Sequence, residues 1–258
     1  MDLNGQKFYR SRIVQRRDIS ADLWSIRVQP GAEFPFQPGQ YATLGVIAPH
    51  KHIERPYSIV SSPYETELEF FFELVPRGEL TPALHNLQVG DEVTLRKVAK
   101  GRFTLDRERV RNHLLLCTVT GVAPFVSYIR TLMRDAQDNK FPTGHRLFLL
   151  EGASRSWEFG YPQELKRAAD AVSWFKYVPT VSRPWEDRNW TGEVGRVDDL
   201  IRKYADLWEL TPETTSVYLC GHPKMIENSG GILARRGWTK ENIKEEVYFV
   251  PKERAVTI

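Results

Sequence analysis

The strongest constraint on this chain is a change of hydrophobic rhythm partway along it. From Phe8 to about Lys97 the apolar residues come in short runs: Ile13-Val14, Leu23 to Val28, Tyr41 to Leu44, Leu68 to Val75 and Val93 to Leu95. Pro30-Gly31, Pro38-Gly39, Pro49, Gly78 and Gly90-Asp91 punctuate them. Alternation broken by turn residues predicts an antiparallel β-barrel or sandwich. One helix is expected there, with Thr81 as N-cap, Pro82 at the first helical position and an end near Leu87. Past Asp106-Arg107-Glu108-Arg109 the pattern becomes apolar strand followed by amphipathic helix. Strands are predicted over His113–Thr118, Arg146–Leu150, Trp174–Val181 and Ser216–Cys220. Helices are predicted over Phe125–Arg134, Pro162–Ala171, Val197–Ala205 and Pro223–Arg236. That alternation implies a parallel sheet covered on both faces, with ligands beyond the carboxyl ends of its strands.

A length of 258 residues suits two modest domains. They are expected as residues 1–108, the β domain, and 109–258, the α/β domain. Hydrophobic content of 41% and charge of 27% are those of an ordinary globular protein. The two cysteines, Cys117 and Cys220, are too few for a four-thiolate iron–sulfur or zinc site, and both end apolar runs that read as buried strands. His50, His52, His85 and His222 lack metal-ligand spacing, so no metal is expected. A net charge of +3 is far from a nucleic-acid footprint. No apolar run approaches the roughly 20 residues that span a bilayer, and Met1 to Gly5 opens no apolar signal segment. A cytoplasmic protein with no membrane association is expected.

Three stretches carry chemistry. In Arg55-Pro56-Tyr57-Ser58, alternation places Arg55 and Tyr57 on one face of a strand and Pro56 and Ser58 on the other. A bend at the proline could bring three of them to one ligand: an aromatic face, a guanidinium for a phosphate, and a hydroxyl for a ring nitrogen. Taken alone, the tetrapeptide fits a half-buried strand with an incidental arginine equally well. In Gly78-Glu79-Leu80-Thr81-Pro82-Ala83-Leu84, glycine permits close backbone approach and the helix start offers free amides to an anion. Thr120-Gly121-Val122-Ala123-Pro124 forms a turn between strand and helix, where amides and the helix dipole suit a pyrophosphate. Val119, which precedes it, is β-branched and disfavours positive φ, so that position is either β-like or strained.

In this order, and followed by Cys220-Gly221-His222-Pro223-Lys224-Met225, these motifs resemble the ferredoxin-NADP reductase family, especially its compact bacterial ferredoxin/flavodoxin-NADP reductases. The resemblance runs from about Phe8 to Val250. It implies a Greek-key barrel that binds FAD and a Rossmann-like domain that binds NADP. Tyr57 would stack on the isoalloxazine, Ser58 would face its N5, and Arg55, beside Pro56, would contact the FAD pyrophosphate. The backbone of Gly78, Leu80 and Thr81 would close on the same phosphates. Thr120, Gly121, Ala123 and Pro124 would receive the NADPH pyrophosphate, although the family usually shows Gly-Thr-Gly-x-Ala-Pro and Val119 stands at the first glycine.

The same resemblance implies that Ser182 and Arg183, with Arg196, grip the 2′-phosphate. Tyr161 matches an aromatic that covers the adenine; the family arginine aligns with Ser154, and Arg155 lies one position later. Cys220 would shape the nicotinamide pocket. Glu246-Val247-Tyr248-Phe249 resembles the terminal Glu-x-aromatic segment, in which Glu246 would orient Ser58 or relay protons and Tyr248 or Phe249 would cover the flavin. Val247 and Phe249 also alternate like a last core strand. The implied activity passes a hydride from NADPH to FAD and single electrons to ferredoxin or flavodoxin, in a monomer. Arg10, Arg12, Arg16, Arg17, Lys97, Lys100 and Arg102 are candidates for a basic docking rim. The alternatives are an NAD(P)H-dependent flavin reductase or oxygenase reductase component, and a non-catalytic FAD-binding electron-transfer subunit.

Overall fold

A computed structural model of the chain describes residues 7–48, 51–108 and 111–247. The first half forms a curled antiparallel sheet of β1 (Phe8–Asp18), β2 (Leu23–Gln29), β3 (Tyr41–Ala48), β4 (Lys51–Ser58), β5 (Leu68–Glu73) and β6 (Glu92–Arg96). Their order is β4-β3-β6-β1-β2-β5. Trp24, Ile26, Leu44, Phe70, Phe72 and Leu95 fill its inside. A register shift between Ile13 and Gln15 in β1 sends Ile13 into the core and leaves Val14 37% exposed. The short apolar pair is thus the centre of an eleven-residue strand.

The barrel helix, α1, spans Leu80–His85 and starts earlier than expected. Glu79 is its cap residue and makes no side-chain capping bond. The Thr81 hydroxyl instead accepts from the Val75 amide at 3.0 Å, so it closes the preceding loop. Leu80 and Leu84 are buried in the barrel core, and that burial sets where the helix begins.

The second half is a parallel sheet of β7 (Asn112–Thr118), β8 (Arg146–Ala153), β9 (Phe175–Val181), β10 (Glu193–Val194), β11 (Thr215–Gly221) and β12 (Ile243–Val247). The order is β10-β9-β8-β7-β11-β12. Its helices are α2 (Ala123–Gln137), α3 (Pro162–Ala171), α4 (Ile201–Leu207) and α5 (Pro223–Arg235). The segment expected as one helix from Val197 begins as a 3-10 turn, Val197–Leu200, before α4. Val247 is 53% exposed on edge strand β12, so it is not the core position that alternation suggested. Strand order reverses between β7 and β11, and open α/β sheets bind ligands beyond the carboxyl ends of their strands at such a point.

The halves share one core: Leu23, Val60, Phe71 and Phe103 pack with Leu115, Phe125, Tyr128 and Tyr218. A polar network crosses the same seam. Arg130 of α2 donates to Glu69 at 2.7 Å and to Glu164 at 2.7 Å. Arg27 and the Tyr161 hydroxyl reach Glu69 at 2.9 and 2.8 Å.

Candidate active site

At the strand reversal, the loops after β7 and β11 lock together. Thr118 Oγ1 accepts from the His222 amide at 2.9 Å. A Cβ on Gly121 would lie 2.8 Å from the Cys220 carbonyl carbon and nearer still to its oxygen, so only glycine fits. Thr120 and Gly121 are buried in the 3-10 turn, Val119–Val122, and Ala123 and Pro124 are buried at the start of α2, which follows it. Val119 has φ +46°, the strained of its two options, while its side chain packs on the shared core.

One register line crosses the carboxyl end of the sheet: Glu151 pairs with Cys117, Cys117 with Cys220, and Cys220 with Glu246. Both cysteines are fully buried. Beyond the line's end, Ser58 Oγ, from the last residue of β4, donates to Glu246 Oε1 at 2.7 Å. Burial holds the Glu246 carboxyl above its usual range, and the serine hydrogen bond offsets part of that rise. The expected trio Ser58, Cys220 and Glu246 therefore converges on the seam between the halves.

On the barrel side, the half-buried Tyr57 ring is braced edge-on by Phe72, centroids 4.7 Å apart. Burial pushes the Tyr57 phenol up to about 12, against the opposing pull of Arg55. Arg55 and Pro56 are exposed; Arg55 donates to the Glu54 carbonyl at 2.8 Å and makes a 3.4 Å pair with Glu79, which also holds Lys51. Such an exposed pair is worth about 0–1 kcal/mol, so a phosphate can replace it. Gly78 does not need positive φ; a Cβ there would meet the Val75 carbonyl oxygen at 3.0 Å. Leu80 and Thr81 are buried, which leaves only their backbone for a ligand. A braced aromatic ring, an exposed guanidinium and a hydroxyl backed by a carboxyl suit a flavin dinucleotide in residue type and placement.

Ser182 and Arg183 follow β9 beside the loop after β8, where the Arg183 amide donates to the Ser154 carbonyl at 3.0 Å. Arg183 lies 3.6 Å from Glu186, and Arg155 pairs with both Glu158 and Glu186. Arg196 pairs with Asp198 at 3.2 Å. Tyr161 cannot cover an adenine: it is 2% exposed, bonded to Glu69 and packed edge-on against Phe71. Arg16 leaves the proposed basic rim, because its guanidinium caps the His85 and Leu87 carbonyls at 2.7 Å each. Arg17 stays exposed, donating to the Gly160 carbonyl at 2.8 Å and lying over the Tyr161 ring. Tyr248 and Phe249 lie outside the described residues.

Sequence reasoning missed three carboxylates here. Glu151 is wholly buried, takes the Tyr177 hydroxyl at 2.6 Å, and leaves Oε1 without a partner. Burial pushes its carboxyl up to about 8. A lone acid closing the run Leu147 to Leu150 was its visible signal. Glu69, in Leu68-Glu69-Phe70, offered the same one. Glu186 gave no pattern at all.

The fold and site define a class: a two-part dinucleotide oxidoreductase. Residues 10–104 match the model of the oxidoreductase FAD-binding domain, and residues 115–230 that of the oxidoreductase NAD-binding domain. The flavodoxin/ferredoxin-NADP reductase of Escherichia coli (strain K12) is 30% identical over 200 residues, 76% of this chain and 77% of that one. A crystal structure of a ferredoxin NADP+ reductase from Neisseria gonorrhoeae with bound FAD and NADP superposes with a TM-score of 0.82. It is 26% identical and covers 94% of this chain and 99% of its own. The reductase component of propane 2-monooxygenase from Mycolicibacterium goodii is 26% identical over 249 residues, 94% of this chain and 68% of that one. The chain belongs to the ferredoxin-NADP reductase family of FAD- and NAD(P)-binding oxidoreductases.

Proposed function

We propose that this protein is an FAD-dependent oxidoreductase linking NADPH to a small one-electron carrier, a ferredoxin or a flavodoxin. The division of labour falls at residues 1–108 for the flavin and 109–258 for the nicotinamide dinucleotide. The observation that carries the reading is the 2.7 Å bond between Ser58 and Glu246, which joins the barrel motif to the carboxyl end of the parallel sheet. Bound FAD would supply the conversion of a two-electron hydride into single electrons.

The chain's own groups position and polarise. Tyr57 offers its ring face to the flavin, and Arg55 exchanges Glu79 for a phosphate. Ser58 Oγ presents a hydrogen bond at the flavin's reacting edge. Glu246 fixes the orientation of that hydroxyl and, with its carboxyl raised by burial, can hold a proton there. Cys220 bounds the nicotinamide pocket, the Gly121 turn admits the dinucleotide backbone to the β7/β11 crevice, and Arg183 meets the 2′-phosphate. The similarity to the propane monooxygenase component supports a second reading, a reductase whose carrier serves an oxygenase. No helix among the described residues is long and apolar enough to cross a membrane.

The test is stopped-flow bleaching of the flavin by NADPH and by NADH, followed by single-electron transfer to ferredoxins and flavodoxins. A yellow protein with one FAD per chain, reduced faster by NADPH, is expected. A folded protein that takes up no FAD would overturn the reading.

A further inference from the structure

Arg155, Arg183 and Arg196, at or beside the expected 2′-phosphate site, each face a carboxylate, and one of those carboxylates stands apart. Glu158 Oε2 accepts from the Ser154 amide at 2.8 Å, and Asp187 Oδ2 accepts from the Ser156 amide at 2.8 Å. Those two acids shape the loop. Glu158 Oε1 also takes Arg155 Nη1 at 2.9 Å, but Glu186 alone of the three holds both arginines: Oε2 accepts from Arg155 Nε at 2.6 Å, and Oε1 lies 3.6 Å from Arg183 Nη1. Glu186 ends a 3-10 turn, Pro184–Glu186, whose proline fixes its approach to Arg183. Its side chain is 34% exposed, so an incoming ligand can reach it.

The geometry points to Glu186 as the residue that sets how strongly this enzyme favours NADPH over NADH, by occupying from within the cations that a 2′-phosphate needs. This rests on the reading that Arg183 meets that phosphate. An arriving dianion must displace the carboxylate or share its guanidiniums beside a like charge. A dinucleotide with a free ribose meets no such competition, and its 2′-hydroxyl can donate to the same carboxylate. The pocket is therefore tuned toward modest rather than strict NADPH preference, by an acid on a turn of this chain's own sequence.

Removing a unit charge about 6 Å from a dianion, in water with ordinary salt, corresponds to about three- to tenfold in affinity. Glu186→Gln and Glu186→Ala, in the FAD-loaded protein, should raise kcat/KM for NADPH by that factor and leave NADH unchanged or lower. Calorimetry should show adenosine 2′,5′-bisphosphate binding tightened alike, with adenosine 5′-monophosphate unaffected. Trp185 beside Glu186 is 69% exposed and gives a fluorescence signal for the same titrations. NADPH efficiency and bisphosphate affinity that stay level or fall in both variants would overturn the inference. Arg183→Ala separates the two levels. If it selectively impairs NADPH while the Glu186 variants do nothing, only the role of Glu186 falls; if it impairs both cofactors equally, the phosphate placement falls and takes that role with it.

Discussion

At the scale of single residues, the site is a set of polar groups whose neighbours decide their chemistry. Tyr57 is held by Phe72, so Tyr57→Ser should weaken FAD retention by about the 0.5–1.5 kcal/mol of an aromatic contact plus the lost buried area. Equilibrium dialysis of FAD measures it, and unchanged affinity would remove Tyr57 from the flavin site. In Glu246→Gln the amide oxygen can still accept from Ser58, while the titratable proton is gone. Flavin reduction should slow by roughly a hundredfold with FAD content intact. Glu151 offers a signed test of stability. A carboxyl that folding raises to about 8 contributes stability below its ordinary 4.5 and loses it as pH climbs through the raised value. Glu151→Gln should flatten the decline of the melting temperature between the unfolded value of 4.5 and the folded value of about 8, and an identical pH profile would show that the group is not ionising there. Residue types in these motifs were legible because each chemistry needs its own side chain. The bonding state of each was not: Tyr161 has the right ring for an adenine, but Glu69 and Phe71 claim it.

At the scale of elements, the helices that cover the sheet were readable because a 3.6-residue period is a local signal. α3 matches its expected span, and α2 and α5 differ from theirs by a few residues at the ends. β10 escaped detection, since a two-residue strand carries no period. The β7–α2 turn shows how an element is fixed from outside itself. Gly121 sits against the Cys220 carbonyl of another strand, so Gly121→Ala must force the β7 and β11 loops apart. Overpacking of this kind costs about 1–3 kcal/mol. The variant should melt earlier and lose NADPH-driven reduction while it keeps its FAD; wild-type kinetics with NADPH would show that the turn does not form the dinucleotide crevice.

At the scale of the molecule, the seam between barrel and sheet joins both halves of the site. Burial pushes the Glu69 carboxyl up, but the Arg130 and Arg27 guanidiniums and the Tyr161 hydroxyl outweigh it and bring it below its ordinary value. A carboxyl lowered in this way contributes stability above its unfolded value, near 4.5, and loses it as pH falls through the folded one. Arg130→Met leaves Glu69 short of its closest cation and should cost about 3 kcal/mol at neutral pH, since breaking a buried pair by removing one partner is expensive. The deficit should shrink in acid, which denaturant melts at several pH values would reveal. A constant deficit would assign the loss to packing alone.

The sequence by itself determined the two rhythms, the order of the motifs and the kinds of side chain placed at them, because periodicity and turn chemistry act between near neighbours. Tertiary structure alone decided the partners. Ser58 and Glu246 stand 188 residues apart, and only the packing of the two sheets brings β4 and β12, an edge strand of each, within bonding reach. The same long-range packing drew Arg16 onto the carbonyls of His85 and Leu87, strained Val119 into positive φ, and set Glu186 between two arginines. A side chain's identity states what it can bond. Which of the competing bonds it makes depends on the groups that the finished fold brings within about 3 Å, and a linear pattern does not carry that distance.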